Sequence, residues 1–289
     1  MTVSVLIPAY NADRFIGAAL ACVAAQTHAD WELIVVEDGS HDATESLVRA
    51  FAATVSPRAV RYENLGENRG VAAARNRLLD LARGDAVAFL DADDLWLPGH
   101  LAGLVAQLSA GHALVLSAIE RWDIDAGRSL GLYRPREHAL RHPRQALFRR
   151  SFIETSSCVA LPRATVEHTG RFDETLRIGE DRDYWFRALA RNGTVGLSSE
   201  PTCRYSKHAG SSMAATRRVA ADTVKFHDKH LRAEGIDPRV ARHALSAALR
   251  TLGRLTRAEN PRQARREFLR AWRLHPAALD LPLRAALSF

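Results

Sequence analysis

The sequence predicts an α/β fold with a mainly parallel sheet and flanking helices, followed by a C-terminal helical region. Two observations carry this prediction. Over the first ninety residues, short runs rich in Val, Leu and Ile alternate with longer segments of helical spacing, and strands that alternate with helices pair in parallel. From Ser212 to the end, the spacing of apolar residues is helical. We therefore expect an α/β domain at 1–211 and a helical region at 212–289.

Four strands and two helices are predicted first. The strands are short apolar runs bounded by turn residues, at 2–8, 31–37, 59–63 and 86–90. The helices are indicated by apolar residues that share one helical face: Phe15, Ala19 and Val23, and then Val71, Ala74 and Leu78. Ligands of such sheets bind at the carboxyl ends of the strands, so the residues directly after each strand form the candidate site.

The second part of the α/β domain is less regular. A helix is predicted from about 98 to 110, strands at 113–119 and 156–161, and a helix from about 181 to 191 that stops at Asn192 and Gly193. Residues 121–150 are rich in Arg and show little periodicity, so we predict a mobile surface insertion there.

Charge is distributed unevenly along the chain. Up to Cys203 there are 22 basic and 26 acidic residues, whereas from Arg204 onward 18 basic residues face 7 acidic ones. A basic region suits an anionic partner. Neither a recognised nucleic-acid-binding motif nor interleaved aromatic and basic residues accompany it, so nucleic acid is not a predicted partner.

The sequence also indicates the cellular compartment of the protein. No apolar run approaches the length of a membrane-spanning helix, and the first residues lack the pattern of a secretory signal. The three cysteines (Cys22, Cys158 and Cys203) are widely spaced and form no C-x-x-C motif, so neither a disulfide framework nor a zinc site is predicted. We expect a cytoplasmic protein.

The strongest chemical signal is the acidic cluster Asp91-Ala92-Asp93-Asp94, at the end of the fourth strand. Carboxylate oxygens bind hard divalent cations such as Mg²⁺ or Mn²⁺, which keep coordination positions open for phosphate oxygens. The alternative is that Asp93 or Asp94 caps the following helix, where Asp is also favoured.

Two other segments after strands carry polar side chains. In Glu37-Asp38-Gly39-Ser40, the glycine permits a tight turn, and a carboxylate there can accept a hydrogen bond from a base or a ribose. Arg75 lies on the helix that follows Gly70, and a helix N-terminus together with a guanidinium suits phosphate. A plain turn and a solvated helix face are the alternatives.

Several motifs, in their order along the chain, resemble those of the family 2 glycosyltransferases. They are Ser4-Val5-Leu6-Ile7-Pro8-Ala9-Tyr10-Asn11, Val35-Val36-Glu37-Asp38-Gly39-Ser40, Asn68-Arg69-Gly70-Val71 with Ala74-Arg75-Asn76, Leu90-Asp91-Ala92-Asp93-Asp94, and Gly179-Glu180-Asp181-Arg182-Asp183-Tyr184-Trp185. The resemblance covers roughly residues 2–215. It implies a GT-A fold, a nucleotide-sugar donor, Mn²⁺ or Mg²⁺ as cofactor, and inversion at the anomeric carbon.

The resemblance also implies roles for single residues. In the donor site, the base and ribose contact Pro8, Ala9, Tyr10 and Asp38, and Asp38 matches the position that hydrogen-bonds uracil, which favours a UDP-sugar. Around the diphosphate, Asp93 is the metal ligand, Asp91 meets the ribose or the metal, and Arg75 and His208 lie nearby. Glu180 and Asp181 match the acidic pair that supplies the catalytic base. The nucleotide-binding half is then about 1–97 and the acceptor half about 98–211.

The residue types alone also support this transfer reaction, without reference to the family. Displacement of a nucleoside diphosphate needs a base for the acceptor hydroxyl and positive charge for the leaving group. Asp181, at the start of a helix, is our candidate base, and a cation at Asp93 together with Arg75 supplies the positive charge. The alternative is that Glu180 and Asp181 only interact favourably with the helix dipole.

Two other functions are alternatives to glycosyl transfer to a glycan or lipid-linked acceptor. A sugar-1-phosphate nucleotidyltransferase needs a Gly-rich basic loop after the first strand, and residues 9–15 do not provide one. A protein that binds nucleotide sugars without catalysis is the other alternative, and donor hydrolysis distinguishes it from the enzyme.

The C-terminal region allows two interpretations. In residues 261–275, Ala264, Phe268 and Trp272 share one helical face, and Arg residues crowd the other. Such a helix can lie peripherally on the inner face of an anionic membrane, or its apolar face can pack on the protein. His227 and His230 are expected on a solvated face, since no third metal ligand accompanies them.

Overall fold

The computed structural model describes residues 1–55, 60–190, 193–208 and 216–276. Within these residues the strands are β1 (Val3–Ala9), β2 (Trp31–Glu37), β3 (Val60–Asn64), β4 (Ala86–Phe89), β5 (Leu95–Trp96), β6 (Leu114–Asp123), β7 (Arg128–Tyr133), β8 (Val159–Pro162) and β9 (Val195–Lys207). They form one sheet in the order β3-β2-β1-β4-β8-β6-β9-β5, and β7 pairs with β6.

The helices of the same residues surround this sheet and continue beyond it. They are α1 (Ile16–Ala24), α2 (Thr44–Thr54), α3 (Val71–Leu81), α4 (His100–Ser109), α5 (Glu137–Arg141), α6 (Pro143–Arg149), α7 (Arg163–Thr169), α8 (Glu180–Ala188), α9 (Arg217–Lys229), α10 (Pro238–Thr256) and α11 (Pro261–Leu274).

The first half of the sheet has the predicted arrangement. β3, β2, β1 and β4 are all parallel, and every residue of β1, β2 and β4 is buried. A strand that is buried on both faces has a nearly continuous run of apolar residues in its sequence. The positions of these strands were therefore predicted well. Residue 59, the predicted start of the third strand, lies outside the described residues.

The second half of the sheet is mixed, which the prediction of a mainly parallel sheet did not include. β8 is antiparallel to both β4 and β6, β9 is parallel to β6, and β5 is antiparallel to β9. The strand and helix alternation that indicates parallel pairing continues to about residue 119 and then weakens, so no regular signal fixed the directions of the later strands. The predicted helix stop at Asn192 and the domain boundary at 211 lie outside the described residues.

Residues 121–150 lie at the surface as predicted, but the expectation of an insertion without regular structure is wrong. They contain the end of β6, the strand β7, and the helices α5 and α6. β7 pairs with β6 alone and is mostly exposed, and α6 buries only Leu147 and Phe148. Because so little of the segment is buried, no hydrophobic periodicity was required of it.

The three C-terminal helices form a second, smaller core. Its buried side chains include Val224 of α9, Leu249 of α10 and Phe268 of α11. The helices α10 and α11 approach closely at Gly253, where a Cβ would lie 2.9 Å from the Phe268 ring. The apolar face of residues 261–275 is therefore used for packing, while Trp272 stays 37% exposed. Among the residues placed in the structure, no helix has both the length and the apolar character needed to cross a bilayer.

We expect Phe268→Ala to lower the free energy of unfolding by about 3–5 kcal/mol, because it removes a fully buried ring and leaves a cavity. Urea denaturation followed by circular dichroism measures this change. The exposed Arg266→Ala on the same helix is the control and should stay within about 0.5 kcal/mol of the parent. Equal unfolding midpoints for both variants would show that α11 does not belong to the core.

Candidate functional site

The site is built where the parallel strands end. Pro8 and Ala9 close β1 and pair with Val36 and Glu37 of β2. The carbonyl of Ala9 accepts a hydrogen bond from the N–H of Asp38 at 2.8 Å. The two segments predicted to contact the base and ribose are therefore neighbours. Tyr10 follows with 48% of its surface exposed, so its ring is accessible to a ligand.

Asp38 has a structural role that the sequence did not reveal. Its carboxylate oxygens accept the N–H groups of Arg69 and Gly70, both at 2.8 Å, and the residue is buried. Gly39 is packed so tightly that a Cβ there would lie 2.6 Å from the backbone of Glu67. Asp38 thus joins the loop after β2 to the start of α3. Its hydrogen bond to uracil stays a prediction and would use an oxygen that already accepts one N–H.

Arg75 connects the two acidic groups of the site. Its Nη2 lies 2.9 Å from Asp91 Oδ1, and its Nη1 lies 2.7 Å from Glu180 Oε1. Burial disfavours the charged guanidinium, but the negative charges of Asp91 and Glu180 outweigh that effect and raise the pKa of Arg75. The sequence placed Arg75 near the diphosphate. The structure places it between two carboxylates that already balance its charge.

Glu180 and Asp181 open α8 and line a cavity of about 440 Å³, together with Arg75 and Asp91. Gly179, which precedes the helix, has a φ of +80°, a left-handed conformation that favours glycine. Glu180 is held by Arg75 as described above. Among the described residues, the carboxylate of Asp181 accepts one hydrogen bond, from the N–H of Arg182 at 2.6 Å. Asp181 is thus the member of the pair that is not held by an ion pair with Arg75.

Burial raises the pKa of both members of the acidic pair. Burial, and then the charge of Asp181, raise the pKa of Glu180 to about 7, although Arg75 opposes this shift. Burial also raises the pKa of Asp181. Adjacent carboxylates titrate as a unit, because ionisation of one disfavours ionisation of the other. A base whose pKa lies near the working pH is the most effective one for proton transfer.

Asp93 and His208 come together although 115 positions separate them in sequence: Nε2 of His208 lies 3.2 Å from Oδ2 of Asp93. Asp94 points elsewhere, since its buried carboxylate accepts the hydroxyls of Thr155 and Ser157 and the N–H of Ser206. Of the three acidic residues in the cluster, Asp94 therefore has a structural role.

Only some of the metal ligands predicted from the sequence lie close together in the structure. Among the described residues, no group of three or more His, Cys, Asp or Glu side chains is placed to hold a metal, because Asp91 is turned toward Arg75. Asp93 and His208 still fit Mn²⁺ or Mg²⁺ bound to a diphosphate, since such ions keep several positions for phosphate oxygens and water. They supply one hard oxygen ligand and one imidazole.

A second buried carboxylate on α8, besides Glu180, was missed. Asp183 accepts a hydrogen bond from His230 at 2.7 Å and is paired with Arg187 and Lys229. This network ties the helix that carries the acidic pair to α9. The prediction that His227 and His230 lie on a solvated face is wrong, since both are buried, and burial lowers the pKa of His227 to about 3. The spacing of polar residues could not reveal a partner 47 positions away.

Comparison with known proteins gives a consistent result. The profile of Glycosyl transferase family 2 matches residues 4–168, which is more than half of the chain. The succinoglycan biosynthesis protein ExoO of Rhizobium meliloti (strain 1021) is 35% identical over 220 residues, which cover 71% of this chain and 60% of that protein. The chain thus spans three fifths of the length of this relative.

Solved structures show the same fold. TarS of S. aureus in complex with UDP-GlcNAc superposes with a TM-score of 0.71 and 19% identity, over 100% of this chain and 88% of that one. The mannosyltransferase PcManGT of Pyrobaculum calidifontis, in complex with GDP-Man and Mn²⁺, gives a TM-score of 0.64 and 24% identity, over 99% and 80%. The predicted GT-A fold with added C-terminal helices is confirmed. With its fold, its motifs and the profile match in agreement, the chain belongs to glycosyl transferase family 2.

Proposed function

We propose that the chain transfers a sugar from a UDP-sugar to a hydroxyl of a glycan or lipid-linked saccharide, with inversion and with Mn²⁺ or Mg²⁺ as cofactor. One observation carries the proposal. The buried guanidinium of Arg75 binds both Asp91 of the acidic cluster and Glu180 of the acidic pair. Asp91, two residues before the proposed metal ligand Asp93, therefore lines the same cavity as the acidic pair.

Asp181 is the proposed base. Inversion by direct displacement requires the acceptor oxygen to attack the anomeric carbon on the face opposite the diphosphate. As the new carbon–oxygen bond forms and the bond to the diphosphate breaks, the carboxylate of Asp181 takes the proton of the acceptor hydroxyl. Glu180 is a positioning residue in this scheme, because its ion pair with Arg75 fixes the first turn of α8.

Asp93 and His208 are the residues proposed to hold the cation, and their 3.2 Å separation supports this. When bound, the cation offsets the negative charge of the diphosphate. Arg75 contributes less than the sequence suggested, since Asp91 and Glu180 already balance its charge. Its role in our proposal is to keep the acidic pair and the acidic cluster in a fixed relation.

The base and ribose are proposed to lie between Tyr10 and the loop that Asp38 organises, against Pro8 and Ala9. TarS, which superposes over the whole of this chain, has been solved in complex with UDP-GlcNAc. This complex supports a uridine nucleotide as the donor. The name of the relative ExoO supports a role in polysaccharide biosynthesis.

The proposed setting is the cytoplasm, with peripheral contact to the inner face of a membrane where the acceptor is lipid-linked. The support for such contact is the exposed basic side of α11, on which Arg262, Arg266 and Arg273 lie. Each basic residue near anionic headgroups contributes about 1 kcal/mol.

Release of nucleoside diphosphate from donor sugars tests the proposal. The purified chain is incubated with UDP-Glc, UDP-GlcNAc or GDP-Man, with Mn²⁺ or with EDTA, and thermal stability is measured in parallel. We expect UDP release that requires Mn²⁺, and stabilisation of about 2.7 kcal/mol at a UDP-sugar concentration one hundred times its Kd. Faster release of GDP would overturn the donor assignment. Binding without any release would identify a non-catalytic binding protein.

The acidic pair predicts the pH dependence of the reaction. A base with a raised pKa loses activity as the pH falls through that value, and burial raises the pKa of Asp181, so kcat/KM should decline at a pH above the ordinary aspartate pKa of about 4. Glu180→Gln should reduce the decline to the titration of a single group, because the variant removes the other member of the coupled pair. Rates measured from pH 4 to 9 test this, and a parent profile that declines only near pH 4 would contradict it.

A further inference from the structure

Arg182, which follows the proposed base in the sequence, makes contacts that the reaction described above does not use. Its Nε donates to the carbonyl of Leu147 at 2.7 Å, and its Nη2 donates to the carbonyl of Phe148 at 2.8 Å. Both carbonyls belong to the last turn of α6, where a helix leaves its carbonyls without partners of its own and favours positive charge. The guanidinium of Arg182 therefore caps α6.

The same side chain also contacts α9. The carbon of its guanidinium lies 4.2 Å from the centre of the Phe226 ring, which is close enough for a cation–π interaction. Both Arg182 and Phe226 line the catalytic cavity. One side chain thus joins α6 and α9 to the turn of α8 that carries the acidic pair.

Arg182 has a positive charge without a direct counter-ion. Among the described residues no carboxylate forms an ion pair with it, and the negative charge that favours its protonated form is that of Asp181. Burial lowers the pKa of Arg182 to about 10, so the guanidinium remains charged at neutral pH. Opposite charges that lie close together favour each other's ionised forms.

The carboxylate of Asp181 is exposed to charges of both signs. Burial raises its pKa, and the charge of Asp91 adds to this shift, whereas the charges of Arg75 and Arg182 lower it. Glu180 titrates together with it. The other titratable groups of the cavity are Glu154, Arg177, Tyr205 and Asp222. Arg75 is balanced by two other carboxylates, so the loss of Arg182 should act most directly on Asp181.

We infer that Arg182 is a positioning residue of the transfer reaction, which fixes the first turn of α8 against α6 and α9 and keeps Asp181 ionised and oriented as the base. The inference rests on the proposed function, since it requires Asp181 to be the base. The orientation comes from the N–H of Arg182, which donates to Oδ1 of Asp181, while the side chain holds that N–H in place. Loss of the side chain should therefore alter the base and leave donor binding unchanged.

Arg182→Gln tests the charge, because the amide can still donate to one carbonyl of α6. We expect the decline of kcat/KM at low pH to move up by about one pH unit, since loss of a nearby positive charge disfavours the ionised carboxylate. At a pH below the decline, the rate should then fall about tenfold, with the affinity for UDP unchanged by calorimetry. Arg182→Lys keeps a positive charge and should keep the decline of the parent.

Arg187→Gln is the matched control on the same helix. Arg187 also donates to two carbonyls, those of Thr169 and Arg171, but it is paired with Asp183 and is not part of the lining of the catalytic cavity. This variant should lower the unfolding temperature without moving the decline. If Arg182→Gln fails to fold, Arg182→Met, which keeps an apolar stem over Phe226, takes its place with the same expected result.

A double-mutant cycle separates this inference from the proposed function. Arg182→Gln is combined with Asp181→Asn, which has no carboxylate at position 181 to be affected, so it should reduce the rate far less there than in the parent. If Asp181→Asn keeps full turnover, the proposed base is wrong.

The inference alone fails if Asp181→Asn is nearly inactive and Arg182→Gln leaves the decline in place or reduces the rate equally in both backgrounds. A decline that moves as far in Arg182→Lys or in Arg187→Gln would also overturn it.

Discussion

Asp181→Asn should reduce turnover about 10²–10⁴ fold, the usual contribution of a general base, and leave donor binding nearly unchanged. The amide has almost the size of the carboxylate but cannot take the acceptor proton. Because Asp181 is not the residue that holds Arg75, the variant should keep the cavity intact. Steady-state transfer rates and calorimetric titration with UDP in Mn²⁺ measure the two effects.

Glu180→Gln is the matched comparison for this variant. It removes one of the two carboxylates that balance Arg75 and keeps the proposed base, so we expect a smaller loss of turnover together with the altered pH profile described above. If Asp181→Asn retains turnover and Glu180→Gln is inactive, the base is Glu180.

Asp93→Ala should abolish transfer and remove the Mn²⁺ dependence of UDP binding. The variant loses the carboxylate proposed to hold the cation, so the charge of the diphosphate is no longer offset there. Titration of UDP with and without Mn²⁺ measures the dependence directly. The same dependence in variant and parent would show that the cation is held elsewhere.

Asp94→Asn separates this effect from damage to the fold. Asp94 is buried and accepts hydrogen bonds from Thr155, Ser157 and Ser206. The substitution should therefore lower the unfolding temperature while the UDP affinity of the remaining folded protein still responds to Mn²⁺. Loss of the metal response in Asp94→Asn at unchanged stability would reverse the roles assigned to the two residues.

The buried strands were the elements most reliably predicted from the sequence. β1 and β2 are buried on both faces, so apart from Ser4, Glu32 and Glu37 their residues are apolar, and this made their positions easy to predict. β7 is exposed, and the sequence around it predicts an irregular insertion, because a strand that buries no face needs no alternation. Directions of pairing beyond β4 depended on long-range contacts that leave no local pattern.

The residues of the candidate site fall into the same two groups, those with a local signal in the sequence and those without one. Asp91 and Asp93 were found because they follow a strand, and the acidic pair was implied by the resemblance to the family. The partner of Arg75 on α8 lies 105 positions away, and that of Asp183 on α9 lies 47 away. Side-chain pairing across such separations depends on tertiary packing, which no spacing in the sequence encodes.

The double hydrogen bond of Asp38 to the backbone of Arg69 and Gly70 has a thermodynamic consequence for the donor. Loops that are free in solution must lose conformational freedom when a ligand binds, and that loss weakens affinity. Here one buried carboxylate restrains the segment before α3 while the protein folds. A nucleotide that binds between the ends of β1 and β2 therefore meets a surface whose entropy has already been reduced, and more of its contact energy remains as affinity.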